Sequence, residues 1–231
     1  MNTAVFHGSP RKGNTYKAVK IFMDELTKQG DVSFTEFFFP ASLPEFCTGC
    51  QICLGNPHEK CPHSSYTSPI LEAVINSDAL IFATPHYGAS GMTSCMKNLL
   101  DHLDFLTLNV FAQKEMFAKK AFIITTGAGS AAAVKPIKKC LINWGVNRVH
   151  SLSIRMFTDK WNKMPESKQA GHEKKLRAAA SGFYNAKKKR PYISAVFMYH
   201  MSKFILKRYA GEDTAPYRHW QDKGYFKKRP F

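Results

Sequence analysis

The chain has 231 residues, 44% hydrophobic and 13% aromatic, with 33 Lys and Arg against 17 Asp and Glu for a formal charge of +16. That apolar share excludes a disordered chain, and six cysteines in this length exclude a disulfide-stapled miniprotein. No apolar run approaches the roughly 20 residues of a membrane-spanning helix. The segment from Met1 to His7 is too short and too soon interrupted for a signal peptide, so a cytoplasmic protein is expected.

Asn2 to Phe6 reads as a short buried strand. Turn residues follow from Gly8 to Thr15. Ala18, Val19, Phe22, Met23 and Leu26 then recur at helical spacing, and Gly30 stops that helix. Val32 to Phe39 is a second strand, ended by Pro40. Residues 40–68 hold four Pro and four Cys and read as a loop. A helix over Ile70–Ile75, an apolar strand over Asp78–Thr84 and a helix over Met92–Leu106 come next. A strand over Ala118–Thr126, a helix over Val134–Trp144 and a strand over Val146–Ile154 complete the series.

Strands alternating with helices predict a parallel α/β sheet with crossover helices. Strands apolar throughout fit burial on both faces. Ligands of such sheets lie beyond the carboxyl ends of the strands. The loops 8–15, 85–91 and 125–130 should therefore share one crevice.

Residues 155–231 differ. A polar helix is expected from Ser167 to Lys189, with a basic cluster over Lys187–Arg190. A second helix, Ile193–Tyr209, carries Val196, Phe197, Met201, Phe204 and Ile205 along one side, as a packing or dimerisation helix would; a membrane surface is the lesser reading. The aromatic and basic end should pack on the sheet or on another subunit. Charge is just as uneven: residues 1–110 carry 7 Lys and Arg against 10 Asp and Glu, and residues 111–231 carry 26 against 7. No nucleic-acid motif accompanies the basic half, so nucleic acid is not the expected partner.

The first loop has the parts of an anion cradle. Ser9 offers a hydroxyl, Arg11 a planar cation, and Asn14 and Thr15 are placed to cap a helix whose amides face the loop. A polar turn that only caps a helix is the plainer alternative. The other chemical feature is Cys47-x2-Cys50-x2-Cys53-x7-Cys61. Four thiolates suit a [4Fe–4S] cluster or zinc, with His58 or His63 as a substitute ligand. Reduced, metal-free cysteines are the third reading. Cys95 and Cys140 read as ordinary buried thiols. Asp101, His102 and Asp104 read as a polar helix face or an interface, and Asp159–Lys160–Trp161 as a subunit contact.

Gly8-Ser9-Pro10-Arg11-Lys12-Gly13-Asn14-Thr15 after a first strand resembles the phosphate loop of the NADPH-dependent FMN reductase family. Ala83 to Met92, followed by Met96 to Asp101, resembles that family's Thr/Ser-Pro-x-Tyr loop and next helix. Thr125-Thr126-Gly127-Ala128-Gly129 matches its second flavin loop. The resemblance covers residues 1–155 and implies a flavodoxin-like fold: a five-stranded parallel sheet of order 2-1-3-4-5, helices on both faces, and a helical extension over 156–231. It implies FMN held by Ser9, Arg11, Lys12, Asn14, Thr15, Pro85, His86, Tyr87, Gly88, Thr125, Thr126, Gly127 and Gly129. It also implies NAD(P)H as the hydride donor, with transfer through flavin N5 to a flavin, a quinone, a nitro compound or an electron carrier. No protein acid or base is required. His86 is the one catalytic candidate; the favoured reading makes it a spacer facing solvent or another subunit.

The cysteine array also resembles the family's iron–sulfur flavoprotein branch. There Cys47, Cys50, Cys53 and Cys61 would hold a [4Fe–4S] cluster, and single electrons would pass to a ferredoxin-like partner. The long last gap departs from that pattern. The family's habit of building flavin sites at subunit interfaces implies a homo-oligomer. A basic nucleic-acid or membrane binder on an old fold is the remaining alternative.

Overall fold

The computed structural model describes residues 1–88, 91–107, 111–187 and 190–231. Of the residues singled out above, Ala89, Ser90, Lys188 and Lys189 lie outside the described residues. Five strands form one parallel sheet: β1 (Asn2–His7), β2 (Ser33–Phe38), β3 (Ala79–Pro85), β4 (Lys120–Thr126) and β5 (Arg148–Ile154). Their order is β2-β1-β3-β4-β5, the doubly wound flavodoxin-like order.

Alternate residues of each strand serve opposite faces. Val5, Ile81, Phe122 and Ile124 pack under α1 (Asn14–Gln29) and α6 (Glu166–Tyr184). Phe6, Leu80, Phe82 and Ile123 pack under α3 (Ser64–Asn76), α4 (Ser94–His102) and α5 (Val134–Asn143). Because both faces are covered, the central strands show no polar alternation. Only β2, at the edge, alternates.

Several elements differ from the sequence reading. The expected 40–68 loop contains the single turn α2 (Ile52–Gly55), a 3-10 turn at His58–Lys60 and the start of α3. Pro69 lies inside α3, where it forfeits one backbone bond near the helix start. The helix expected to Leu106 ends at His102, and a 3-10 turn over Asp104–Leu106 follows. The polar helix stops at Tyr184, where Asn185 donates from both its amide and its side chain to the Ser181 carbonyl.

The C-terminal arm packs on its own chain. In α7 (Ile193–Tyr209) and α8 (Ala215–Asp222), Tyr199 and Trp220 stack at 5.4 Å and join Phe117 and Tyr225 in a separate apolar cluster. The Tyr199 hydroxyl donates to the Tyr225 carbonyl at 2.7 Å. The Val149 amide donates to the Tyr192 hydroxyl at 3.3 Å, and the Lys114 amide to the Tyr225 hydroxyl at 3.1 Å. The arm thus docks beside the starts of β4 and β5, at the opposite strand ends from the expected crevice. The side of α7 expected to pack faces outward: Phe197, Met201, Phe204 and Ile205 are exposed, and Ala195, Tyr199, Ser202 and Leu206 are buried.

Candidate active site

β1 ends at Gly8, whose amide donates to the Ala83 carbonyl at 2.7 Å. A Cβ at Gly8 would stand 2.9 Å from Met96 Cβ and 3.2 Å from the Ala83 oxygen, so only glycine lets β1 approach α4 this closely. The Thr93 hydroxyl donates to the Gly8 carbonyl and accepts from the Met96 amide, capping α4. These bonds fix the ends of β1 and β3 against each other.

The first helical bond of α1 runs from the Lys17 amide to the Gly13 carbonyl. The amides of Asn14, Thr15 and Tyr16 therefore have no intrahelical acceptor. The expected caps do not form: Gly13 is the N-cap, and no side chain caps the helix. Asn14 instead donates to the Thr158 carbonyl at 2.8 Å, and the Thr15 and Thr126 hydroxyls bond at 2.6 Å. A Gly cap supplies no side-chain oxygen, so the free amides remain available to an anion.

Above these strand ends lies a crevice of about 830 Å³, of the size of small-ligand sites. Ser9, Arg11, Lys12, Asn14, Thr15, Pro85, His86, Thr126 and Gly127 line it together, so the three loops do converge. Tyr87 and Gly88 are exposed and do not line it. Thr125 is fully buried and bonds the Ser153 hydroxyl at 2.9 Å. The His86 amide donates to the Thr126 carbonyl at 2.7 Å, and its ring covers Gly129, where an added Cβ would stand 2.6 Å from Nε2. The His86 ring is half-buried between two of the loops.

The far wall was missed by sequence reasoning. Thr158, Asp159, Lys160, Trp161 and Lys17 line the crevice, so Asp159–Lys160–Trp161 belongs to it within this chain. No motif marks these residues, although the Lys17 and Lys160 charges were a usable signal. Asp159 pairs with Lys163 at 2.8 Å and Glu173 with Arg177 at 3.6 Å. Arg11, Lys12, Lys17 and Lys160 therefore leave the crevice cationic. Asn14 Oδ1 and Thr158 Oγ1 are buried without a protein partner. The four cations and the free amides of α1 fit a phosphorylated ligand, whereas Asn14 Oδ1 can only accept.

Beside Lys12 lies His7, stacked on Phe38 at 4.3 Å and bonded to Glu36 at 2.8 Å. Burial holds the imidazole below its ordinary 6.5, against the opposing hydrogen bond of Glu36.

The four-cysteine loop begins where the Cys47 amide donates to Asn98 Oδ1 at 2.9 Å. Asn98 Nδ2 donates in turn to the Glu45 carbonyl at 2.8 Å. Burial raises the Cys53 thiol, and Cys61, Cys47 and Cys50 raise it further. Among the described residues, however, no three His, Cys, Asp or Glu side chains are gathered tightly enough to hold a metal ion. The number of donors suits a cluster.

The proposed substitute ligands are engaged elsewhere. His58 bonds Thr67 at 2.8 Å, and His63 bonds His102 at 2.9 Å. His102 is buried, which corrects its assignment to a polar face. Asp101 keeps the polar-face role, paired with Lys97. Cys95 and Cys140 are free and half-buried rather than fully buried.

A doubly wound sheet of order β2-β1-β3-β4-β5 with a cationic crevice at its switch point defines a flavodoxin-like fold with a crevice suited to an anionic ligand. The sequence profile of the NADPH-dependent FMN reductase family matches residues 1–158, and the chain belongs to that family. It is accordingly an FMN-dependent oxidoreductase. An iron–sulfur flavoprotein of Clostridioides difficile (strain 630) is 25% identical over 236 residues, covering 97% of this chain and 99% of the relative. Among solved structures, an NAD(P)H:quinone oxidoreductase from Methanothermobacter marburgensis superposes with a TM-score of 0.64 at 13% identity, over 81% of this chain and 98% of that one. The azoreductase AzrA superposes at 0.62 and 13% identity, over 79% and 100%. These two likenesses concern the fold.

Proposed function

We propose that the crevice binds FMN by its phosphate at the β1–α1 loop and presents the ring at the His86–Gly127 side, where NAD(P)H and then a small acceptor meet it. The observation that carries this reading is the uncapped first turn of α1, opening beside Ser9, Arg11 and Lys12 into a crevice shared with Pro85, His86 and Thr126. When bound, FMN supplies the hydride chemistry, and the protein supplies orientation and charge.

Arg11 and Lys12 neutralise the phosphate, and the amides of Asn14, Thr15 and Tyr16 donate to it. Asn14 and Thr15 hold that turn against the β5–α6 and β4–α5 loops. The His86 ring, set on Gly129, walls the ring side and keeps water from that edge. No side chain need move a proton, so no catalytic residue is assigned. Exposed Tyr87 at the rim suits a second subunit covering the open side, as expected of a homo-oligomer. Quinones, nitro compounds and free flavins are the acceptor class.

The test is titration of the apoprotein with FMN, followed by flavin fluorescence, and then anaerobic reduction with NADPH and NADH. Arg11→Met should weaken FMN binding about 10- to 100-fold, as loss of a charge-assisted bond implies. Undiminished affinity would sink the phosphate assignment.

The Cys47-x2-Cys50-x2-Cys53-x7-Cys61 spacing, together with the printed name of the Clostridioides difficile relative, favours a second reading. In it the loop closes around a [4Fe–4S] cluster and the protein exchanges single electrons with a ferredoxin-like partner. Iron and acid-labile sulfide near four per chain in anaerobically purified protein would support it; flavin bands without iron would leave the plain reductase.

A further inference from the structure

Among the described residues, ten large apolar side chains stand well exposed, and six of them lie on α7: Ile193, Phe197, Met201, Phe204, Ile205 and Tyr209. Ile193, Phe197, Met201 and Phe204 follow one another at helical spacing, so they form a continuous stripe. The opposite stripe, Ala195, Tyr199, Ser202 and Leu206, fastens the helix to the arm's apolar cluster. The outward stripe is thus held in place and, among the described residues, has no cover from this chain.

Charge decides what covers it. The stretch 185–211 carries seven Lys and Arg and no Asp or Glu. Lys207 flanks the stripe and Arg208 lies within it, one turn beyond Phe204, whereas Lys203, one turn beyond buried Tyr199, lies toward the packed side. A two-fold pairing of α7 with its own copy would set these cations against each other with no acid to answer them. A helix with Phe and Ile on one face and Lys and Arg at its margins instead suits the boundary of an anionic bilayer. There the rings enter the acyl region and the cations meet headgroup phosphates and carboxylates.

We propose that α7 attaches this reductase to an anionic membrane surface, lying in the interface plane rather than crossing it. No helix among the described residues is long and apolar enough to span a bilayer. The arm docks at the starts of β4 and β5, so the crevice at the opposite strand ends stays open to water-soluble donors. The inference does not depend on which acceptor the crevice takes.

The experiment is co-sedimentation of the full-length protein with vesicles of phosphatidylcholine and phosphatidylserine, and with phosphatidylcholine alone. Binding should appear with the anionic vesicles and fall with added salt. Lys207→Gln with Arg208→Gln should weaken it about fivefold per cation removed. Phe197→Ser with Phe204→Ser should abolish it while leaving the thermal midpoint unchanged, because both rings are more than half exposed. Equal binding to neutral vesicles, or none to either, overturns the proposal. So does a concentration-dependent dimer that the double Phe variant dissolves, since the occupant would then be a second copy.

Discussion

The hydroxyls of Thr15 and Thr126 meet at 2.6 Å, joining the first turn of α1 to the last residue of β4 across 111 positions of sequence. Both residues are nearly fully buried. The bond sets the distance between the β1–α1 loop and the loop after β4, which in the proposed site hold the FMN phosphate and ring. Thr126→Val keeps the shape and strands the Thr15 hydroxyl, which costs about 1–2 kcal/mol. The expected result is a lower thermal midpoint and FMN released about tenfold more readily. Thr15→Val with Thr126→Val should recover stability, because no buried hydroxyl is left unpaired. Retention of wild-type FMN affinity in the single variant would remove this pair from the site.

Two glycines of the crevice loops should respond differently to the same substitution. At Gly91, φ is +85° and an added Cβ would lie 2.9 Å from the backbone of Ala132 and Ala133. Backbone cannot step aside, so Gly91→Ala should destabilise the fold by about 1–3 kcal/mol. At Gly129 the obstacle is the end of the His86 side chain, which can rotate. Gly129→Ala should leave the unfolding midpoint nearly unchanged and shift the visible spectrum of bound flavin, because the ring wall moves. Equal loss of stability in both variants would show that the His86 ring is fixed.

The difference between what the sequence disclosed and what it concealed has a physical basis. Strands buried on both faces are apolar throughout, so β1, β3 and β4 stand out from their composition alone. The phosphate loop is legible because a turn before a helix draws on few residue types. By contrast, α7 carries two stripes, and the buried one contains Ala195 and Ser202. Helical spacing finds a stripe but not the side that meets the core, so the more apolar stripe was assigned inward. The His63–His102 contact spans 39 positions, and the Thr158–Trp161 wall depends on where β5 leads the chain. Neither has a local signature.

The Lys pair that opens β4 serves two helix ends. Lys119 Nζ donates to the carbonyls of Ile75 and Ser77 after α3. Lys120 Nζ donates to the carbonyls of Phe183 and Tyr184 at 2.7 Å each, at the end of α6. Each lies in or just beyond the last turn of its helix, where the helix dipole favours a cation; the Phe183 carbonyl also accepts from the Ala186 amide at 3.2 Å. Burial depresses both lysines below 10.5, yet each remains the donor its helix end requires. Lys120→Met should cost about 2–3 kcal/mol in chemical denaturation and expose the α6 end to faster hydrogen exchange. Unchanged exchange at Phe183 to Asn185 would show that water replaces the ammonium without loss.

Acid sensitivity should come from histidines before carboxylates. Burial holds His7, His58, His102 and His219 below 6.5 in the fold. The unfolded chain therefore binds more protons than the native one between those lowered values and 6.5. Stability rises with pH across that window, is complete above 6.5, and is lost as pH falls through it. Each such group adds a slope of at most about 1.4 kcal/mol per pH unit. His102 adds a second effect: its Nδ1 faces the Asn98 carbonyl at 3.0 Å and its Nε2 faces His63 Nδ1. A proton on each ring would leave no acceptor between them, so the α3–α4 contact should loosen first. The unfolding free energy should fall between about pH 7 and about pH 5, with a shallower slope in His102→Gln. A flat profile over that interval would mean these imidazoles are protonated in the native state.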